Sequence, residues 1–184
     1  MALDMAIKAI IAISQKGFEQ EDFHAIMRAT AKNNIITFIA ANLKTGTIGN
    51  QGEGLLPNMK FDEIDTDHYN AIVFVGGGAS MYHKNQVAIR LAGEFYEKGG
   101  VVAASGDAVP ILANAGLLER KTVACDNEER SLLESLAVIS EENIFADGRI
   151  MTAKRGLGNE FGDKVSATLT EIGIKKMKKK GIEL

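Results

Sequence analysis

The stretch Val101–Pro110, VVAASGDAVP, joins a small-residue apolar run to a helix start through Ser105-Gly106-Asp107, with no linker between them. A strand that passes straight into a helix belongs to a parallel α/β sheet. Parallel strands need crossover connections, and these lay helices over both sheet faces. In such sheets, a sharp turn after a central strand lifts one side chain above the strand ends and aims helix N–H groups at it. This is where a nucleophile is held. Here the turn carries a glycine, so the frame surrounds a residue with nothing to attack with.

The rest of the chain repeats the same grammar. Ile7–Ser14, Asn34–Asn42, Ala71–Val75 and Val101–Ala104 are near-continuous apolar runs, predicted as neighbouring parallel strands of one sheet. Glu21–Lys32 carries Phe23, Ile26, Met27 and Thr30 at helical spacing, and Asn85–Lys98 carries Val87, Leu91 and Phe95 before Gly99-Gly100 ends it. Lys44–Asp65 is rich in turn residues and reads as a β-hairpin excursion. After the elbow come a short helix over Val109–Ala115, a strand over Thr122–Cys125 and a helix over Glu128–Ser135. Ile144–Ala146 and Arg149–Thr152 flank Asp147-Gly148, a two-residue hairpin signal, and Asn159–Lys180 closes the chain as a long helix. Ligands of such sheets bind beyond the carboxyl ends of the strands. Glu19, Gly76–Gly78, Ser105–Asp107 and Cys125 all follow strands and are expected to converge there.

Composition narrows the function classes. At 184 residues the chain suits one domain spanning 1–184, and its net charge of −3 offers no field for nucleic acid. The single cysteine, Cys125, excludes an internal disulfide, and the scattered histidines (His24, His68, His83) give no metal-ligand spacing, so no metal and no cofactor are expected. The apolar opening Ala6–Ile13 is interrupted by Lys8 and too short to span a bilayer. A cytoplasmic protein without membrane contact is the expectation.

Five segments in order carry a family resemblance: Gly17-Phe18-Glu19-Gln20-Glu21-Asp22; Tyr69–Gly78 ending in Gly76-Gly77-Gly78; the Val101–Asp107 turn; Ile111–Leu118; and Ala146–Thr152 followed by Glu160-Phe161-Gly162. Together they resemble the DJ-1/PfpI superfamily, relatives of class I glutamine amidotransferases. The resemblance implies a flavodoxin-like three-layer α/β/α sandwich and a homodimer. It places the family's nucleophilic cysteine on Gly106, and Asp107 where the protease-like branch has histidine. The family's oxyanion-hole glycines fall on Gly76 and Gly77. Its first-loop acid falls on either Glu19 or Asp22, and a position often occupied by histidine falls on or beside Cys125. Cysteine-bearing members are associated with peptidase, glyoxalase-type or deglycase activity and with stress protection.

Each position has a bland reading beside the chemical one. Glycine at 106 adopts a positive φ without the strain a nucleophile suffers there, and forfeits the chemistry. A register shift would make Ser105 the elbow residue, though strand alternation turns it into the fold. Asp107 reads as a capping acid of the helix that follows, where it would plug an anion site, or as a replacement catalytic acid. Glu19 and Asp22 are first-turn acids or pocket-lining ones. A pair of carboxylates facing each other would split their pKa values and allow acid–base work. Gly76-Gly77-Gly78 is a tight turn or an anion nest. Cys125 is a buried small hydrophobe or a redox-sensitive thiol, and His83 is exposed or rims the pocket. The expectation is a member without cysteine-dependent catalysis that binds a small molecule or a protein. The alternatives are a hydrolase or lyase working through carboxylates or Ser105, and a redox sensor working through Cys125.

Overall fold

The structure, a computed structural model, describes residues 6–179. In chain order the elements are β1 (Lys8–Ala12), β2 (Lys16–Phe18), α1 (Gln20–Lys32), β3 (Ile36–Ala41), β4 (Thr47–Gly49), β5 (Gly54–Leu55), β6 (Met59–Lys60), β7 (Ala71–Phe74) and α2 (Gln86–Glu97). They continue with β8 (Val101–Ser105), α3 (Val109–Asn114), β9 (Thr122–Val123), α4 (Asn127–Leu133), β10 (Val138–Ile139), β11 (Ile144–Asp147), β12 (Ile150–Ala153) and α5 (Gly158–Lys179).

The central sheet runs β11-β12-β8-β7-β1-β3-β6. The four apolar runs are its neighbouring parallel strands, with Ile10 opposite both Phe38 and Ile72, and Val73 opposite Ala103. Only the edge strand β11 is antiparallel, folded onto β12 by the turn at Asp147-Gly148. Alternate residues point to opposite faces. Ile10, Ile72, Phe74, Val102 and Ala104 join Leu91, Phe95, Ile111 and Leu112 from α2 and α3 on one side. Ala9, Ile11, Val73, Ala103 and Met151 join Phe23, Ile26, Phe161 and Val165 from α1 and α5 on the other. This is the three-layer, mostly parallel α/β/α arrangement.

Helix starts follow the chemistry of their first residues. The Asn85 side chain accepts the N–H groups of Val87 and Ala88, at 2.9 and 3.1 Å, and opens α2. Pro110 stands in the first turn of α3, where a missing N–H costs nothing.

Three expectations change. The Lys44–Asp65 excursion does hold an antiparallel pair, β4 and β5, but β4 also pairs in parallel with β2, and β6 returns to extend the main sheet beside β3. The strand expected over Thr122–Cys125 stops at Val123 and pairs with β10 outside the main sheet. Its next N–H, from Ala124, goes to Thr152 Oγ1 at 2.8 Å instead of a ladder. The helix expected over Glu128–Ser135 runs Asn127–Leu133. Lys180, the expected last residue of the closing helix, lies outside the described residues. Among the described residues, no helix is long and apolar enough to cross a membrane.

Candidate functional site

Strand β8 ends in the elbow. Gly106 takes φ +54°, the left-handed turn, while Ser105 is extended at φ −123°. Gly106 is therefore the residue lifted above the strand ends, and the Ser105 side chain turns inward, 2% exposed. Its Oγ accepts the N–H of Gly76 at 3.1 Å.

Asp107 does not cap its own helix. The position before α3 belongs to Ala108, and the Asp107 carboxylate reaches across to the glycine loop after β7. There Oδ1 accepts the N–H of Gly77 at 2.5 Å, and Oδ2 accepts those of Ala79 and Ser80 at 3.0 and 3.3 Å. Glycines are needed in this loop because it runs too close to the neighbouring backbone for a side chain. A β-carbon on Gly76 would lie 2.6 Å from the Ser105 carbonyl oxygen. His83 rims the same spot, half-buried, with Nε2 hydrogen-bonded to the Asp107 carbonyl oxygen. Asn114 Nδ2 in turn donates to the His83 carbonyl at 2.7 Å. The amides of Gly76 and Gly77, with those of Ala79 and Ser80, are taken up by the elbow's own side chains.

The two first-loop acids part company. The Asp22 carboxylate, 4% exposed, accepts the N–H groups of Gly156 and Gly158, at 2.9 and 3.0 Å, and ties α1 to the start of α5. Glu19 stays at the elbow. Its backbone N–H bonds Gly76 O at 2.8 Å, and Oε2 accepts Asn50 Nδ2 at 2.7 Å. Burial, then the charge of Asp22, pushes the Glu19 carboxyl above its usual range, against the pull of Arg155 and Asn50.

Three residues that the sequence reading did not single out close the site. A β-carbon on Gly106 would lie 3.4 Å from Arg155 Cβ and 3.8 Å from Asp126 Oδ2. These two hold each other: Asp126 Oδ2 accepts the Arg155 backbone N–H at 3.0 Å and faces Nε at 3.4 Å. Behind them Glu129, from α4, is 5% exposed, with Oε1 3.8 Å from Arg155 Nη2. Oε2 has no hydrogen-bond partner among the described residues. Burial, then Asp126, raises the Glu129 carboxyl. Arg155 follows β12, so the rule that sites gather after strand ends could have found it. Asp126 and Glu129 look in sequence like the acidic first turn of a surface helix.

Cys125 is buried at 4% exposure, and burial followed by Glu129 pushes its thiol up, away from the reactive thiolate. No group of three or more His, Cys, Asp or Glu able to hold a metal occurs among the described residues.

Residues 8–168 match the model of the DJ-1/PfpI family. The chain belongs to the DJ-1/PfpI family. Protein MJ0967 of Methanocaldococcus jannaschii, itself uncharacterized, is 28% identical over 80% of this chain and 74% of its own. A deglycase of Thermococcus kodakarensis is 25% identical over 60% of this chain and 67% of its own. Among solved structures, a ThiJ/PfpI domain protein from Brachyspira murdochii superposes with a TM-score of 0.87 at 25% identity, covering 90% of this chain and 98% of that one. Drosophila melanogaster DJ-1beta superposes at 0.83 with 19% identity, over 97% and 100% of the two chains, a likeness of fold. In this DJ-1/PfpI chain, the positive-φ elbow residue is a glycine and the amides beside it are internally bonded.

Proposed function

We propose that this DJ-1/PfpI chain is a binding protein without cysteine chemistry at its elbow, taking a small ligand beyond the strand ends. The reading rests on one observation. The amides of Gly76 and Gly77 already serve Ser105 Oγ and Asp107 Oδ1. An oxyanion would find neither donor free, and preorganised donors are usually the largest single contribution to acyl-transfer catalysis. The empty Gly106 position and the buried, raised Cys125 thiol support the same reading. By resemblance we also propose a homodimer acting in the cytoplasm, the oligomeric state being open to light scattering of the purified chain.

The test is methylglyoxal consumption, with and without iodoacetamide, beside Cys125→Ser and Glu19→Gln variants. No turnover above buffer is expected. Turnover lost with iodoacetamide or Cys125→Ser would move the chemistry to Cys125. Turnover lost only in Glu19→Gln would favour the second reading, a hydrolase or lyase using carboxylates. That reading draws support from the raised Glu19 carboxyl at the mouth of the elbow.

A further inference from the structure

The donors and acceptors left over at the elbow are unevenly distributed. The glycine-loop amides are taken by Ser105 and Asp107. Among the described residues Arg155 is the cation paired with Asp126 and Glu129 beside Gly106. On the acidic side stand Glu19, Asp107, Asp126 and Glu129, and the charges of Arg155 and Asp107 act on Glu19 and Glu129 alike. Arg155 answers these acids loosely. Its guanidinium stands 3.4 Å from Asp126 and 3.8 Å from Glu129, beyond the 2.7–2.9 Å typical of a charge-assisted hydrogen bond, and its side chain is 47% exposed. Glu129 Oε2 is buried behind it with no hydrogen-bond partner among the described residues. A buried carboxylate oxygen without a donor is costly, so the place beside it favours a group that carries N–H donors and positive charge.

We infer that the elbow is a receptor for a small organic cation, an alkylguanidinium or alkylammonium, which enters beside Glu19, displaces the Arg155 guanidinium and donates to Asp126 and Glu129. This deepens the reading of the elbow as a non-catalytic binding site and rests on it. Arg155 is the internal stand-in for the ligand, and Gly106 beside it adds no side chain of its own. An anion, by contrast, meets an excess of carboxylates and amides already engaged.

The experiment is a titration of the full chain with methylguanidinium, with propylammonium, and with acetate, followed by backbone amide NMR at about 0.15 M salt, where surface charges are largely screened. Saturable shifts are expected at Gly106, Asp126, Glu129 and Arg155 with both cations and not with acetate. Removing the internal competitor in Arg155→Gln should tighten methylguanidinium binding about tenfold. Removing the buried acceptor charge in Glu129→Gln should weaken it about tenfold. Acetate moving the same amides more tightly than either cation would overturn the inference. So would the absence of saturable shifts in both the natural chain and Arg155→Gln, or a Glu129→Gln variant that binds as well as the natural chain. Methylglyoxal turnover on the same preparation is a separate readout. It would remove the non-catalytic reading and leave the measured cation affinity standing on its own.

Discussion

Asp107 Oδ1 lies 2.5 Å from the backbone nitrogen of Gly77, the amide that family resemblance assigns to an oxyanion. One carboxylate thus does from inside the chain what a bound anion would do from outside. It also anchors the 3₁₀ turn Ala79–Tyr82 through the amides of Ala79 and Ser80.

Replacing that carboxylate should therefore cost stability and open a site. Asp107→Ala is expected to lose about 2–3 kcal/mol, the scale of charge-assisted hydrogen bonds to backbone amides. Phosphate should restore much of the loss by binding the freed amides, raising Tm with concentration in the variant and not in the natural chain. Thermal unfolding with and without phosphate measures both effects. Equal response in the two proteins would mean that the nest collapses once Asp107 is gone.

The raised acids set a pH dependence of definite sign. Burial lifts Glu19 and Glu129 above their unfolded values. Between the unfolded and folded pKa the native state binds more protons, so stability falls as pH rises through that window. Glu129→Gln removes this penalty. It should stabilise the protein at pH 7.5 and make little difference near pH 3, below the ordinary glutamate range, where the carboxyl is protonated in both states. Urea unfolding at the two pH values is the check, and a gain of equal size at both would assign the effect to packing.

Restoring a nucleophile should fail. A cysteine at position 106 must adopt φ near +54°, at a cost of about 1–2 kcal/mol for a residue with a β-carbon. A thiol held under free amides would be depressed. In the structure those amides are engaged, and Asp126 Oδ2 stands 3.8 Å from where the β-carbon would be. Gly106→Cys should therefore titrate at or above ~8.5, the value of a free thiol. Thiol alkylation rates against pH, measured in a Cys125→Ser background, would show a thiolate near neutrality if this geometry is wrong.

The two first-loop acids should separate by what they damage. Asp22→Ala leaves the buried Gly158 amide and the more exposed Gly156 amide at the α5 start without their acceptor and should cost about 2–3 kcal/mol, with faster hydrogen exchange at both. Glu19→Gln keeps the hydrogen bond from Asn50 within reach and should change stability by less than about 1 kcal/mol.

The fold was legible because its strands are buried on both faces. Runs such as Ala71–Phe74 are apolar throughout, and Asp147-Gly148 announces its own turn. Two-residue strands such as β6 carry no such pattern, and their pairing depends on what lies beside them. At the site, Gly76, Gly77 and Ser105–Asp107 could be placed from the elbow. The partner of Asp107 could not, since a capping acid looks the same in sequence whichever helix it serves. Nothing local in the sequence could show that the Asp22 carboxylate goes to Gly156 and Gly158, which lie 134 and 136 residues away along the chain.

That separation orders events during synthesis. Asp22 leaves the ribosome together with β1 and β2, and the amides it accepts from follow only 134 and 136 residues later. Until then a carboxylate destined for the interior must stay in water, which opposes the burial of Phe23 and Ile26 at the same end of α1. The acceptor bonds of that end are complete only once the start of α5 is present. A nascent chain stalled before Gly156 should present that end of α1, and the sheet face beneath it, to chaperones and proteases.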